Sequence, residues 1–245
     1  LELRDWSLKR EPGSAGSNAS VYNAVVSTPD FGLDLSLQTS QTVLLQGYEG
    51  MSRKGPQASQ TSFYYSQPQL SAKGRLTLQG KALQVMGIAW LDHEWSNEML
   101  HPDAVGWDWI GMNLDNGSAL TAFQIRDKSG AALWDGGSFR RPRSSTAKRA
   151  EEDRTDAFNH GDVIFKPVKF WKSPKSEAKY PVEWQVRTPE DLYTVRALVE
   201  NQELDSRAST GAIYWEGLSE LVDSSNRRVG YGYLEMTGYA QPLRL

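Results

Sequence analysis

The sequence predicts an all-β protein on three observations. Short runs of alternating or β-branched and aromatic residues recur along the whole chain. Windows with apolar residues at helical spacing are scarce. Glycine-bearing turn signatures separate the runs. Many short strands with regular turns indicate a sandwich or a barrel.

Taken in order, LELRDWSL (1–8) opens as a strand, without an initiator Met, which suggests that sequence once preceded it. DFGLDLSLQTS (30–40) alternates cleanly. TSFYYSQPQL (61–70), GRLTLQG (74–80), LQVMGIAWL (83–91), WDWIGMNL (107–114) and ALTAFQIRD (119–127) follow as strands. So do DVIFKPVKFW (162–171), VEWQVRT (182–188), LYTVRALV (192–199), IYWEGLSELV (213–222) and GYGYLEMTGY (230–239). LDNGS (114–118) and RDKSGA (126–131) are hairpin turns with glycine available for positive φ. From Gly106 onward there are about eight strand candidates, enough for one small barrel. The first hundred residues offer fewer, so the first domain is expected to lack its opening strands. The expected domains are 1–102 and 103–245.

An internal echo supports two related domains. VMGIAWLDHEW (85–95) lies over GYGYLEMTGY (230–239), so that Gly87, Ala89, Trp90, Leu91 and Asp92 meet Gly230, Gly232, Tyr233, Leu234 and Glu235. An aromatic pair precedes each segment, Tyr64-Tyr65 and Tyr214-Trp215. A duplicated β-domain produces this pattern.

Composition narrows the function. The formal net charge is −3, and the basic run RRPRSSTAKR (140–149) is followed at once by EEDRTD (151–156). That reads as a solvated mixed-charge loop, and no nucleic-acid partner is expected. Cysteine is absent, which removes disulfides, thiol catalysis and thiolate metal sites. No apolar run approaches the ~18 residues of a membrane helix. The three histidines, His93, His101 and His160, lack zinc-ligand spacing, so no metal or cofactor is expected. There is no G-x-S-x-G, phosphate loop or G-x-G-x-x-G motif.

The nine tryptophans are many for 245 residues, and Trp90, Trp95, Trp107, Trp109 and Trp134 crowd together. Such crowding indicates a cavity wall or a dense aromatic core. In a strand, side chains alternate in direction. Trp90, Asp92 and Glu94 then share one face, and Leu91, His93 and Trp95 the other. In a regular strand neither carboxylate orients His93; only a bulge or strand end would allow it. Tyr214 shares a face with Glu216, Tyr233 with Glu235, Gln124 with Arg126, and Trp107 with Trp109. Asp108 points with Ile110 and Met112. If that carboxylate is internal it needs a cation, and Arg126 is the best placed by strand order. The candidate catalytic residues are His93, Asp92 and Glu94. The candidate ligand-binding residues are Trp90, Trp95, Trp107, Trp109, Asp108, Gln124, Arg126, Tyr65, Tyr214, Trp215, Glu216, Tyr233 and Glu235.

Seven segments occur in one order: YYSQPQL, GIAWLDHEW, GWDWIGMNL, FQIRDKSG, YPVEWQV, YWEGLSEL and GYGYLEMTGY. The series resembles the hydroxyneurosporene synthase (carotenoid 1,2-hydratase) superfamily, and more closely its bacterial AttH-type branch of described secreted hydrolases. The resemblance implies two tandem lipocalin-like (calycin) antiparallel β-barrels and a periplasmic or secreted location. It also hints at an ABC transporter system as an envelope partner. The hydratases of that superfamily add water to an isolated alkene of a long apolar substrate. Their H-x-W pair is matched by His93-Glu94-Trp95. Their aromatic-x-acid pair has Asn113-Leu114-Asp115 as its nearest counterpart, where the tyrosine is missing.

Three functions follow. The first is binding of an apolar or amphipathic small molecule, lipid- or isoprenoid-like, for envelope transport or maintenance. The second is an enzyme of the hydratase, isomerase or cyclase type, a lyase or isomerase rather than a hydrolase. The third is an adhesion or structural role.

Overall fold

The structure, a computed structural model, describes residues 1–13, 19–97, 100–142 and 154–243. Among these, every regular element is a β-strand. The first sheet holds β1 (Glu2–Leu3), β2 (Trp6–Pro12), β3 (Ser20–Ser27), β4 (Phe31–Gln38), β5 (Leu44–Leu45), β6 (Met51–Arg53), β7 (Thr61–Leu78) and β8 (Lys81–Trp95). Its order is β1-β2-β3-β4-β7-β5, with β6 and β8 also pairing β7. The second sheet holds β9 (Ala104–Leu114), β10 (Ala119–Asp127), β11 (Ala132–Arg140), β12 (Thr155–Phe158) and β13 (Ile164–Lys172). It continues with β14 (Lys179–Arg187), β15 (Leu192–Ala197), β16 (Glu203–Ser206), β17 (Ala212–Val222) and β18 (Arg228–Met236). The order is β12-β11-β10-β9-β18-β17-β15-β14-β13, with β16 on β17. The pairings are antiparallel, so hairpins and short returns suffice to connect them.

Both expected hairpin turns form. Asn116 Oδ1 accepts from Ser118 N at 2.9 Å, ahead of β10. Asp127 Oδ1 accepts from the Ser129 hydroxyl (2.6 Å) and from the amides of Ser129 (2.8 Å) and Ala131 (3.0 Å), which pulls its carboxyl below the ordinary range.

Two runs expected at 61–70 and 74–80 are one strand, β7. Gly74 lets it pass β4 closely: a Cβ there would meet Asp34 O at 2.1 Å. The strands at Ser20–Ser27 and Ala132–Arg140 were not expected. In the second, Gly136-Gly137 interrupts the alternation, yet a Cβ on Gly137 would meet Thr121 O at 2.1 Å. That glycine is what allows β11 to approach β10. Of the mixed-charge stretch 140–156, residues 143–153 lie outside the described residues; beside it, Arg141 pairs with Glu190 at 2.8 Å.

The chain forms two compact units. Unit 1 is Leu1–Leu44 with Ser66–Asp92, and unit 2 is Leu45–Tyr65 with His93–Leu245. The expected boundary at 102/103 is a single break; this division interleaves. Unit 1 has a small core of Tyr22, Leu37 and Leu70, packed by Leu8, Leu35, Ala72, Ala89 and Leu91. Unit 2 has a large one, including Ile110, Met112, Leu120, Tyr180, Trp184, Trp215, Leu234 and Met236. Within unit 2, segment 45–65 is rooted by polar contacts. Gln46 donates through Nε2 to Thr121 Oγ1 (2.9 Å) and accepts from Ser138 Oγ (2.7 Å). Lys54 lies over the rings of Phe123 (4.4 Å) and Tyr64 (4.8 Å).

Candidate functional site

The WLDHEW stretch ends β8, and the alternation expected there holds. Glu94 meets Lys54 Nζ at 2.8 Å and accepts from Ser62 Oγ. Asp92 accepts from Ser66 Oγ. His93 points away from both. Its Nδ1 is 3.0 Å from the Tyr65 hydroxyl, and the two rings meet edge to face at 5.2 Å. Trp95 lies 5.0 Å from His93 and stacks on Phe63 at 5.7 Å. Neither Asp92 nor Glu94 is therefore placed beside His93. A regular strand carries the carboxylates to other partners, and a tyrosine from β7 takes their place beside His93. Trp90 is separated from Trp95 in the same way, since it shares the face of Asp92.

The inner side of β8 is marked by Ala89 and Leu91, which pack on the Tyr22–Leu37–Leu70 core. His93 and Trp95 follow them on the same face by strand alternation. In the internal echo of the sequence, Tyr65 falls at the place of Trp215 and His93 at that of Met236. Trp215 and Met236 are cross-strand partners, both fully buried in the core of unit 2.

Asp108, Gln124 and Arg126 converge as strand order predicted. Asp108 Oδ2 accepts from Gln124 Nε2 (2.7 Å) and Arg126 Nε (2.7 Å), and Oδ1 from the Tyr239 hydroxyl (2.9 Å). Arg126 also donates to Thr237 O at 2.5 Å and lies 4.1 Å from the Tyr239 ring centroid. Burial pushes the Asp108 carboxyl up, and Arg126 and the hydrogen bonds oppose it. Asp108, Gln124 and Arg126 are buried and spend their polar groups on one another and on the backbone.

A third group lies on the other face of β9, β18 and β17. Trp107 Nε1 donates to Glu235 Oε1 at 2.9 Å. Glu235 stands opposite Trp109 on one side and Glu216 on the other. Trp109 lies across Gly111, where a Cβ would meet its ring at 2.2 Å. Tyr233 and Tyr214 share this face by alternation, and burial raises the Glu216 carboxyl. Trp215 does not belong here. It is in the core, with Nε1 donating to Glu200 O at 2.7 Å. Asp115, in the turn after β9, takes Arg228 at 3.1 Å.

The chain belongs to the AttH-like family. Its family model matches residues 1–239. A crystal structure from Nitrosomonas europaea described as an AttH shares 42% identity, with a TM-score of 0.87 over 98% of this chain and 70% of that one. Kievitone hydratase from Nectria haematococca shares 17% identity, with a TM-score of 0.72 over the same shares of the two chains. This second likeness establishes the lipocalin-like β-barrel fold and nothing about activity. No curated protein matches the chain. In this AttH-like chain the H-x-W element is the exposed rim of β8, with Tyr65 as its hydrogen-bonding partner.

Sequence reasoning missed Lys54, Ser62, Ser66 and the Asp135–His160 pair. Lys54 sits in the polar run SRKGPQASQ, which carries no periodic signal. Asp135 follows Trp134 on the concealed strand β11. Among the described residues, no cluster of three or more His, Cys, Asp or Glu is placed to hold a metal, and no helix is long and apolar enough to cross a membrane.

Proposed function

We propose that the chain is a hydratase- or isomerase-type catalyst for an apolar, alkene-bearing small molecule, lipid- or isoprenoid-like. The substrate lies against Phe63, Tyr65, His93 and Trp95. The observation that carries this reading is the hydrogen bond between the Tyr65 hydroxyl and His93 Nδ1 within a group of aromatic rings. It fixes the imidazole and leaves Nε2 to exchange a proton with substrate. Protonation of one alkene carbon leaves a cation on the other, which the faces of Trp95 and Phe63 stabilise. Water then adds at that carbon and returns a proton to the imidazole, which completes a hydration. Loss of a neighbouring proton instead completes an isomerisation. Family membership and the hydratase among the similar folds support the choice.

The test is incubation with acyclic isoprenoid alkenes in heavy-oxygen water, followed by mass spectrometry of the extract. The expected result is an alcohol carrying the heavy oxygen, or a shifted double bond, formed by wild type and not by His93→Ala. Tight binding of the alkene with no conversion would overturn the catalytic reading.

One observation favours a second reading. Asp92 and Glu94 are both taken by other partners, so no neighbouring carboxylate supports His93 as an acid. In that reading the aromatic face only binds, and the protein is an envelope carrier of an apolar ligand.

A further inference from the structure

Unit 2 contains a cleft that shares no residue with the Tyr65–His93 face. It encloses about 240 Å³, which suits a ligand smaller than most drug-sized ones. Met51, Phe123 and Phe158 supply apolar lining, and Arg53, Trp134 and His160 the remaining features.

Asp135 is buried at the base of the cleft. It accepts from the amides of Gly161 (3.0 Å) and Val163 (3.1 Å) and is 2.7 Å from His160 Nδ1. The amide bonds alone would hold the turn 159–163. The histidine adds something the turn does not need. Its ring lies flat on Trp134, 4.3 Å between centroids and 6° from parallel. Asp135 and Trp134 thus fix the imidazole in position and rotation, while its side chain stays half exposed. With Nδ1 on Asp135, Nε2 is the nitrogen available to a ligand.

Arg53 gives an independent indication. Its guanidinium is 5.2 Å from the Trp134 ring centroid, and Nη2 donates to Gly55 O (2.9 Å) and Pro56 O (2.7 Å). Its Nε is buried and has no acceptor among the described residues. A buried donor without an acceptor is costly. An anionic oxygen entering the cleft would supply one. The Asp135 charge already has its own donors, so Arg53 is the surplus cation, and it suits a ligand with a single negative charge.

We propose that this cleft binds a small planar monocarboxylate, an aromatic or α,β-unsaturated acid. Its carboxylate meets Arg53 and accepts from His160 Nε2–H, the imidazolium being neutralised by Asp135, and its apolar part lies against Phe123 and Met51. The site stands independently of the proposed catalysis.

The test is a titration of isotope-labelled protein with sodium benzoate, followed by NMR, with benzyl alcohol and inorganic phosphate as comparison probes. Saturable shifts at Gly136, Gly137 and His160 are expected with benzoate. Arg53→Met and His160→Gln should each weaken benzoate by about tenfold or more and leave benzyl alcohol unchanged. His160 is half exposed, so its variant keeps the fold if Arg53→Met does not. The proposal is overturned if benzoate gives no saturable shift, or if benzyl alcohol or phosphate binds as tightly as benzoate. It also falls if every folded variant holds benzoate within about twofold of wild type.

Discussion

His93 Nδ1 lies 3.0 Å from the Tyr65 hydroxyl, across the β7–β8 hairpin. In the sequence echo the two residues fall at the places of Trp215 and Met236, a buried cross-strand pair. The fold would accept an apolar pair here, as it does there. A phenol and an imidazole in that place point to chemistry, and their replacement separates catalysis from packing. His93→Ala should lower turnover by about 10²–10⁴-fold, the usual weight of a proton-transfer group. Tyr65→Phe, which keeps the ring, should lower it less. Neither should move the thermal midpoint much, because His93 is exposed and Tyr65 half-buried. Asp92→Asn and Glu94→Gln should leave turnover within about tenfold of wild type. If they fall as far as His93→Ala, a carboxylate is the true partner of the histidine.

The Asp108–Arg126 pair predicts the opposite behaviour: a large change in stability. Arg126→Met leaves the fully buried Asp108 carboxylate without its cation, at a cost of about 3–5 kcal/mol. Asp108→Leu combined with Arg126→Met removes both charges and should recover most of that loss. Urea unfolding of the two variants beside wild type decides it. Equal losses in the single and double variants would mean that the pair itself stabilises the fold.

Alternation carried much of this into the sequence. It grouped Gln124 with Arg126, and Asp108 with Ile110, and strand order then chose the cation. It also separated His93 from Asp92 and Glu94. Alternation gives the facing direction within one strand. It does not give the partner across the sheet. Tyr65 is 28 residues before His93, and nothing local fixes that register. His160 is further concealed, since it lies in a turn and its partner is on β11, where two glycines break the pattern. Lys54 comes from a loop with no periodicity, so its place between two aromatic rings could not be read.

Glu216 gives a pH dependence. Burial raises its carboxyl above the ordinary carboxylate range, and Glu235 stands directly opposite. Tyr214, Tyr233 and Trp107 complete that face. The folded protein therefore keeps this proton at pH values where the unfolded chain has released it. Stability from this group is full below the unfolded value and falls as pH rises through the folded one. Glu216→Gln removes the titration. Its thermal midpoint should gain on wild type between about pH 4 and pH 7, and the two should agree at the acid end. A constant difference across that range would show that Glu216 acts by packing alone.

Gln46 joins segment 45–65 to β10 and β11 through two hydroxyls that are fully buried, Thr121 and Ser138. An amide suits this place because it donates from one end and accepts at the other. Gln46→Ala leaves both hydroxyls short of a partner, which costs about 1–3 kcal/mol. Gln46→Glu keeps the shape but offers only acceptors when ionised. Thr121 can turn its own hydroxyl proton toward that carboxylate, so the remaining cost is burial of the charge. The loss for Gln46→Glu should therefore shrink as pH falls and the carboxyl takes up a proton. Amide exchange around Tyr64 should rise in both variants, because Gln46 N donates to Tyr64 O at 3.1 Å. If exchange there stays as slow as in wild type, the segment is held by the Lys54 sandwich and not by the glutamine.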